Sequence, residues 1–236
     1  MSFTTIHESA DDAVAEIGDG ATLLIGGFGL AGMPLDLIDA LVRQGARDLT
    51  VVSNNAGNGE VGIAALLKAG RVRKIVCSFP RQSDSYVFDE LYRAGHVELE
   101  LVPKGNLAER IRAAGAGIGA FYCPTGVGTP LAEGKESRTI GGRTYLLEYP
   151  IAGDCALIAA HAADTAGNLV YRKTARNFNL PAATCGKVCV VEVEEIVPTG
   201  SLDPDHIHLP GVYVHRIIQG EHEKRIEQRT VRSRED

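Results

Sequence analysis

The sequence has no long apolar run. Its hydrophobic stretches, such as ATLLI at 21–25 and KIVCSF at 74–79, are short, well under the roughly 20 residues a membrane-spanning helix needs. The first residues, MSFTTIHESADDAV, lack a basic segment followed by an apolar one, so no secretory signal is expected and the cytoplasm is the expected compartment. An excess of positive charge is also missing. With 24 Lys and Arg against 30 Asp and Glu, a net charge of −6, the chain lacks the basic surface of a general nucleic-acid binder, although a few local donors suffice to hold one anionic ligand. Cysteine is sparse and unpatterned: Cys77, Cys123, Cys155, Cys185 and Cys189 form no CxxC and no Cys/His group at zinc spacing. Cys77, Cys155 and Cys189 lie in apolar runs, where cysteine acts as a small buried hydrophobe. Reduced, structural thiols are expected, and no metal or prosthetic group is implied. Tryptophan is absent and aromatic content is 6%, which restricts no function.

What is present is an apolar content of 44%, enough for the core of one large domain. That domain is expected to span 1–220, leaving 221–236 as a charge-dense surface tail. The first half alternates short β-branched runs with helical patterns, the mark of a parallel sheet with crossover helices. Strands are expected at 21–25, 49–53 and 74–79 and, alternating and near a sheet edge, at 97–102. Helices are expected from Met33, with Pro34 in the first turn and Gly45 as the stop; over 61–69; from a cap at Ser83 or Asp84 to Ala94; and from Asn106. After about residue 120, Gly- and Thr-rich turns lead into a hairpin at 139–147 around Gly141-Gly142, with further strands at 155–161, 169–172 and 188–197. The expected fold is α/β: an open, mostly parallel sheet with crossover helices in the first half, and a strand-rich second half.

The first strand runs into GGFGLAG, which supplies glycines at 27, 29 and 32 in the G-x-G-x-x-G spacing of a dinucleotide-binding turn. An NAD site also wants a carboxylate at the end of the next strand, for the ribose. Here that strand ends in Ser53-Asn54-Asn55, so an NAD-dependent oxidoreductase is disfavoured. The loop still allows backbone N–H groups to approach an anion, with the positive end of the following helix beside it. A tight strand-to-helix turn without a ligand fits the same residues.

The wider string DGATLLIGGFGLAGMP at 19–34 resembles the signature of the family I coenzyme A transferases: an acidic or Asn residue, Gly, a hydrophobic strand, GGF, then G-x-P. The segments SNNAGNGE at 53–60, NLAERIRAAGAGIGAFYCPTG at 106–126, AGNLVYRKTARNFN at 166–179, VVEVEEIV at 190–197 and HIHLPGVYVHR at 206–216 are similar to the α (A) subunit of these enzymes. CSFPRQSDSYVFDELYRAG at 77–95 resembles the A subunits that serve 3-oxoadipate, whereas those serving acetoacetate tend to differ there. The resemblance implies a ping-pong transfer of CoA from succinyl-CoA to a 3-oxoacid, in late aromatic-compound catabolism, with CoA as a substrate rather than a resident cofactor. It implies a nucleophilic glutamate, carried as a glutamyl-CoA thioester, on a partner B (β) subunit in a heterodimer or heterotetramer.

The resemblance also assigns roles. Gly26, Gly27, Phe28, Gly29, Leu30, Ala31 and Gly32 form the CoA-associated loop. Asn54 and Asn55 lie at the same sheet edge and suit a carboxylate. In related enzymes a Gln in a P-Q-G-T-L-A-E-R-type segment donates to the oxyanion; this chain has Lys104 at that place, able to donate with a charge or to turn to solvent. Arg81, following a strand end, is a candidate fork for the second carboxylate of 3-oxoadipate, or a partner of Asp84. Glu60, Glu109 and Glu148 are nucleophile candidates by type only, and Glu109 reads as a partner of Arg110 or Arg112. His206-x-His208 reads as a loop crossing rather than a metal pair. Arg172, Lys173 and Arg176 form a basic cluster that fits CoA phosphates, a subunit contact or solvent. Two other functions stay open: an acetoacetate- or acetate-specific relative, and a non-catalytic module binding CoA or a sugar phosphate.

Overall fold

The computed structural model describes residues 4–221 and the backbone of Arg225–Ile226 and Arg229–Thr230, which pair antiparallel. The tail expected at 221–236 otherwise lies outside the described residues. In chain order the first half contains β1 (Thr5–Ile6), α1 (Ala10–Val14), β2 (Thr22–Ile25), α2 (Leu35–Gln44), β3 (Leu49–Val52), α3 (Ile63–Lys68), β4 (Val72–Cys77), α4 (Tyr86–Arg93), β5 (Glu98–Leu101) and α5 (Lys104–Gly115). The second half adds β6 (Phe121–Cys123), β7 (Ser137–Ile140), β8 (Arg143–Glu148), β9 (Gly153–Asp164), β10 (Leu169–Val170), α6 (Asn179–Ala183), β11 (Gly186–Val197) and β12 (Arg216–Gln219).

One sheet dominates, in the order β1-β12-β11-β9-β2-β3-β4-β5, with β10 antiparallel on β9. Every pairing along that path is parallel. The late strands β9, β11 and β12 therefore do not form a separate unit; they extend the first sheet on the far side of β2. From β2 the chain winds outward through β3, β4 and β5, then returns to β9 on β2's other flank. That reversal places the crevice between β2 and β9, at the carboxyl ends of the strands, where open α/β sheets bind ligands.

Period-two alternation divides the core. Leu23, Ile25, Val51, Ile75 and Leu157 face the helices α1 to α4, whereas Leu24, Val52, Val76, Ala156 and Ile158 face α5 and α6. Because helices cover both faces, the central strands carry continuous apolar runs, Leu23–Ile25 in β2, Cys155–Ala160 in β9 and Val188–Val191 in β11 among them. A small antiparallel sheet, β6-β8-β7, stands apart. Its β7–β8 hairpin turns through Gly141 (φ 58°) and Gly142 (φ 79°), a type I′ geometry that glycine adopts without strain.

Boundaries move where tertiary contacts compete with local signals. Helix α2 starts at Leu35 rather than Met33, with Pro34 just ahead of it. Neither Ser83 nor Asp84 caps α4; Ser85 precedes it, and its hydroxyl instead donates to the Gly57 carbonyl at 2.8 Å. Helix α5 begins at Lys104, two residues before the expected Asn106. The strand expected at 169–172 stops at Val170, because the chain enters a 3-10 turn at Lys173–Arg176, where Lys173 has φ 52°. Among the described residues no helix is long and apolar enough to cross a membrane.

Leu24 is fully buried on β2, and a Cβ on Gly153 would come within 2.5 Å of its Cδ1, so the site is tightly filled. Leu24→Ala is expected to lower unfolding free energy by about 2–5 kcal/mol in chemical denaturation, the range for a core leucine replaced by a cavity.

Candidate functional site

The glycine-rich loop, residues 26–32, leaves the end of β2 at the crevice. It is a tight reversal: the Phe28 amide donates to the Ala31 carbonyl (3.0 Å) and the Ala31 amide donates back to Phe28 (3.2 Å). The residue that dictates its glycines is Asn179, wholly buried at the start of α6. A Cβ on Gly26 would stand 1.8 Å from the Asn179 Oδ1, and one on Gly32 would stand 2.7 Å from its Nδ2. Asn179 Oδ1 accepts from the Ala159 amide of β9 (2.9 Å), while Nδ2 donates to the carbonyls of Gly32 and Ala175, each at 2.8 Å. Asn177 adds donations to the carbonyls of Ala31 (2.9 Å) and Thr174 (2.6 Å). The loop is thus fixed to β9 and to the Lys173–Arg176 turn. Two of its glycines are explained by the protein's own side chain, without any ligand.

The positive end of α2 is not offered to an anion. The amides of Asp36 and Leu37 donate to one carboxylate oxygen of Glu192, on β11, at 2.8 and 3.2 Å. The expectation of a helix terminus presented to a ligand is corrected here: a protein carboxylate already answers those donors and the helix dipole. The only hint in the sequence was an acidic residue within the apolar run VCVVEVEEIV.

Positive charge arrives from elsewhere. The Lys104 ammonium lies over the Phe28 ring, 4.3 Å from its centroid, a cation–π contact that sets the amine beside the loop. Asn54 and Asn55, at the end of β3, are both buried. The Asn54 Oδ1 accepts from the Ser78 hydroxyl (3.1 Å), and its carbonyl accepts from the Ser78 and Phe79 amides. Asn55 Oδ1 accepts from the Gly57 amide (2.8 Å), while its Nδ2 and the Ser53 hydroxyl are buried without hydrogen-bond partners among the described residues. Such orphan groups cost about 1–3 kcal/mol each, a cost that an incoming acceptor relieves. Phe28 and Phe79 are exposed on the same edge, at 45% and 56%. Arg81 does not meet Asp84; its Nε donates to Asp89 of α4 at 2.5 Å, and the side chain is exposed.

The chain's candidate carboxylates are all engaged. Glu60 is ion-paired to Lys68 (2.7 Å), whose hydrogen bond, with help from Tyr86, holds it below the usual range. Glu109 meets Arg112 (2.6 Å) and is likewise held down by that hydrogen bond. Glu148 is buried against Lys135 (2.6 Å), Asn106 (3.0 Å) and Arg110 (3.9 Å), beside a cavity of about 460 Å³ between β5, α5 and the small sheet. The buried thiols offer no better nucleophile: burial pushes Cys77, Cys155 and Cys185 up to about 12, and the five cysteines are unpaired. His206 pairs with Asp203 (2.6 Å), whereas His208 Nδ1 accepts from the Tyr171 amide (2.9 Å), so the two rings serve separate contacts.

Of the residues singled out by sequence, the loop and Lys104 meet directly, and Asn54 and Asn55 close the neighbouring strand. Arg81 stands apart on its ion pair. The residues that sequence reasoning missed are Asn177, Asn179 and Glu192, whose partners lie far away along the chain.

Known proteins resemble the chain over most of its length. The profile of the Coenzyme A transferase family matches residues 7–220. The A subunit of the 3-oxoadipate CoA-transferase of Pseudomonas putida is 63% identical over 212 residues, 90% of this chain and 92% of its own. The A subunit of the succinyl-CoA:3-ketoacid coenzyme A transferase of Helicobacter pylori is 52% identical over 224 residues, 94% of this chain and 96% of its own. Among solved structures, the decarboxylase AibA/AibB superposes with a TM-score of 0.79 at 28% identity, over 93% of this chain and 84% of its own. That a decarboxylase shares the fold means that the fold by itself does not choose the reaction.

The clamp on the loop has a measurable signature. Gly26→Ala and Asn179→Ala should each destabilise the protein, the second by about 1–3 kcal/mol through its unpaired backbone groups. Combined, they should be less damaging than their sum by at least about 1 kcal/mol, because removing the amide makes room for the new methyl. Strict additivity in denaturant titrations would show that the two do not share a contact.

Proposed function

Since the chain belongs to the coenzyme A transferase family, we propose that it is the A subunit of an enzyme moving CoA from succinyl-CoA to a 3-oxoacid. We take 3-oxoadipate as the leading acceptor and aromatic-compound catabolism in the cytoplasm as the setting. The observation that carries this reading is Lys104, held over Phe28 at the edge of the glycine-rich loop. Acyl exchange passes through tetrahedral oxyanions, and a fixed cationic donor beside the reacting carbonyl lowers their energy. Asn54 and Asn55 supply neutral amides at the adjacent strand end, suited to a carboxylate that must later leave.

The nucleophile is the other half of the reading. Glu60, Glu109 and Glu148 each hold a cation already, which supports a shared site in which a B subunit brings the glutamate. That residue carries the glutamyl-CoA thioester between half-reactions, and this chain supplies the loop, the oxyanion donor and the acid-binding amides. Acetoacetate is the competing acceptor, and the 52% identity to the Helicobacter pylori protein supports a 3-ketoacid acceptor without choosing between the two. Arg81 distinguishes the two: released from Asp89, its fork can take the second carboxylate that 3-oxoadipate has and acetoacetate lacks.

Three measurements test the proposal. CoA exchange between succinyl-CoA and 3-oxoadipate should appear only when this chain is combined with its B subunit; activity of the chain alone would return the nucleophile to it, and CoA binding without exchange would favour a non-catalytic module. Lys104→Met should lower kcat by about a hundredfold or more, the usual loss of an oxyanion donor, with Lys104→Gln recovering part of it. Arg81→Met should raise KM for 3-oxoadipate well above any change for acetoacetate, and equal changes would remove Arg81 from the acceptor site.

A further inference from the structure

Among the described residues most lysines and arginines stand in ion pairs, for example Arg43 with Asp11, Lys74 with Glu100 and Arg216 with Glu16. Of those that do not, Arg47, Arg138 and Arg143 lie elsewhere, whereas the exposed Lys104, Lys173 and Arg176 stand around the glycine-rich loop. Lys104 meets Phe28 near the loop's tip. Lys173 and Arg176 occupy the 3-10 turn bound to the loop's other end. Asn179 holds the Gly32 and Ala175 carbonyls together, Asn177 does the same for Ala31 and Thr174, and a Cβ on Gly32 would come within 3.0 Å of the Ala175 Cα. The turn therefore cannot drift from the loop. Its neighbour Arg172 is different, being paired to Glu194 at 3.4 Å.

A chain of net charge −6 thus leaves uncompensated cations on both limbs of one short loop. The amino end of α2, the loop's other source of positive potential, is taken up by Glu192. Loop amides can still meet an anion, but its balancing charge has to come from side chains, and arginine and lysine are the side chains suited to phosphate. We propose that Lys173 and Arg176 bind the phosphates of coenzyme A beside the Ala31–Gly32 limb of the loop, while Lys104 stands at its Phe28 limb. The assignment rests on the CoA-transferase reading and adds a subsite to it. In this arrangement Asn177 and Asn179 are positioning residues, acting through the turn rather than on the ligand.

The test uses the complex formed between this chain and the B subunit, comparing wild type with the double variant Lys173→Gln/Arg176→Gln. Calorimetry should show CoA binding weakened at least about tenfold, the scale of one or two lost charge-assisted hydrogen bonds. The KM for succinyl-CoA should rise correspondingly while the KM for the 3-oxoacid stays within about twofold, and Lys173→Arg/Arg176→Lys should restore most of the affinity. Unchanged CoA binding in an active complex overturns the assignment and leaves the transferase reading intact. A rise confined to the 3-oxoacid KM overturns it by moving the cations to the acceptor. Loss of complex assembly, seen by sedimentation, overturns it in favour of a contact with the partner. A wild-type complex that binds no CoA removes both this subsite and the reading beneath it.

Discussion

The side-chain amide of Asn179 is the constraint from which the rest of the site follows. One buried group satisfies an amide of β9 and carbonyls from both the glycine-rich loop and the basic turn. These segments lie on the two sides of the topological reversal between β2 and β9, and this amide joins all three where Asn177 joins only the loop and the turn. The same group explains why residues 26 and 32 are glycine: the amide occupies the space where side chains would stand. Because Asn179 is wholly buried and its amide hydrogens are donated inside the protein, it is not offered to a substrate. Its influence on chemistry is geometric.

That geometry changes where electrostatic stabilisation can come from. A glycine-rich turn followed by a helix suggests an anion at the helix terminus, a contribution of about 0.3–1 kcal/mol on an exposed surface. Here Glu192 fills that role, joining α2 to the sheet and leaving the loop with no helix end to offer. In the proposed site the positive potential comes instead from Lys104, Lys173 and Arg176. Charge-assisted hydrogen bonds contribute more per contact, about 1.5–3 kcal/mol.

How much of this was legible in the sequence depends on the range of the contact. Strands β2 to β4 and helix α2 follow from alternation, apolar stripes and a glycine stop, all local signals, and Gly45 does end α2 in a left-handed conformation at φ 96°. The Gly141-Gly142 hairpin is local in the same way. The parallel registry of β9, β11 and β12 with the first half is not, since it is decided by partners far along the chain. Small apolar residues throughout β9 (GDCALIAAHAAD) indicate burial on both faces, but not beside which strand. Within the site, the loop was visible while the reason for its glycines was not: Asn179 lies 147 residues from Gly32, and nothing in the RNFN segment identifies its partner. Arg81 shows the same limit, because Asp89 is a nearer carboxylate in space than Asp84 once α4 has formed.

Lys104 provides the last step. It is the first residue of α5, preceded by Pro103, which brings no side-chain cap. Positive charge at a helix amino terminus opposes the helix dipole, and acidic residues are the favoured ones there. A lysine in that place violates a local rule, and such violations concentrate where function requires them. The Phe28 ring offsets the penalty in part, since an exposed cation–π contact contributes about 0.5–1 kcal/mol. The arrangement is then close to neutral for stability while remaining strongly asymmetric toward ligands. An anion beside Lys104 would meet the ammonium and the positive end of α5 together, so both terms that oppose one another in the free protein would attract the same oxyanion. A glutamine there would give a hydrogen bond without the penalty and without the added charge. If Lys104 serves the oxyanion as proposed, the lysine exchanges a small loss in helix stability for stronger attraction at the atom where negative charge forms.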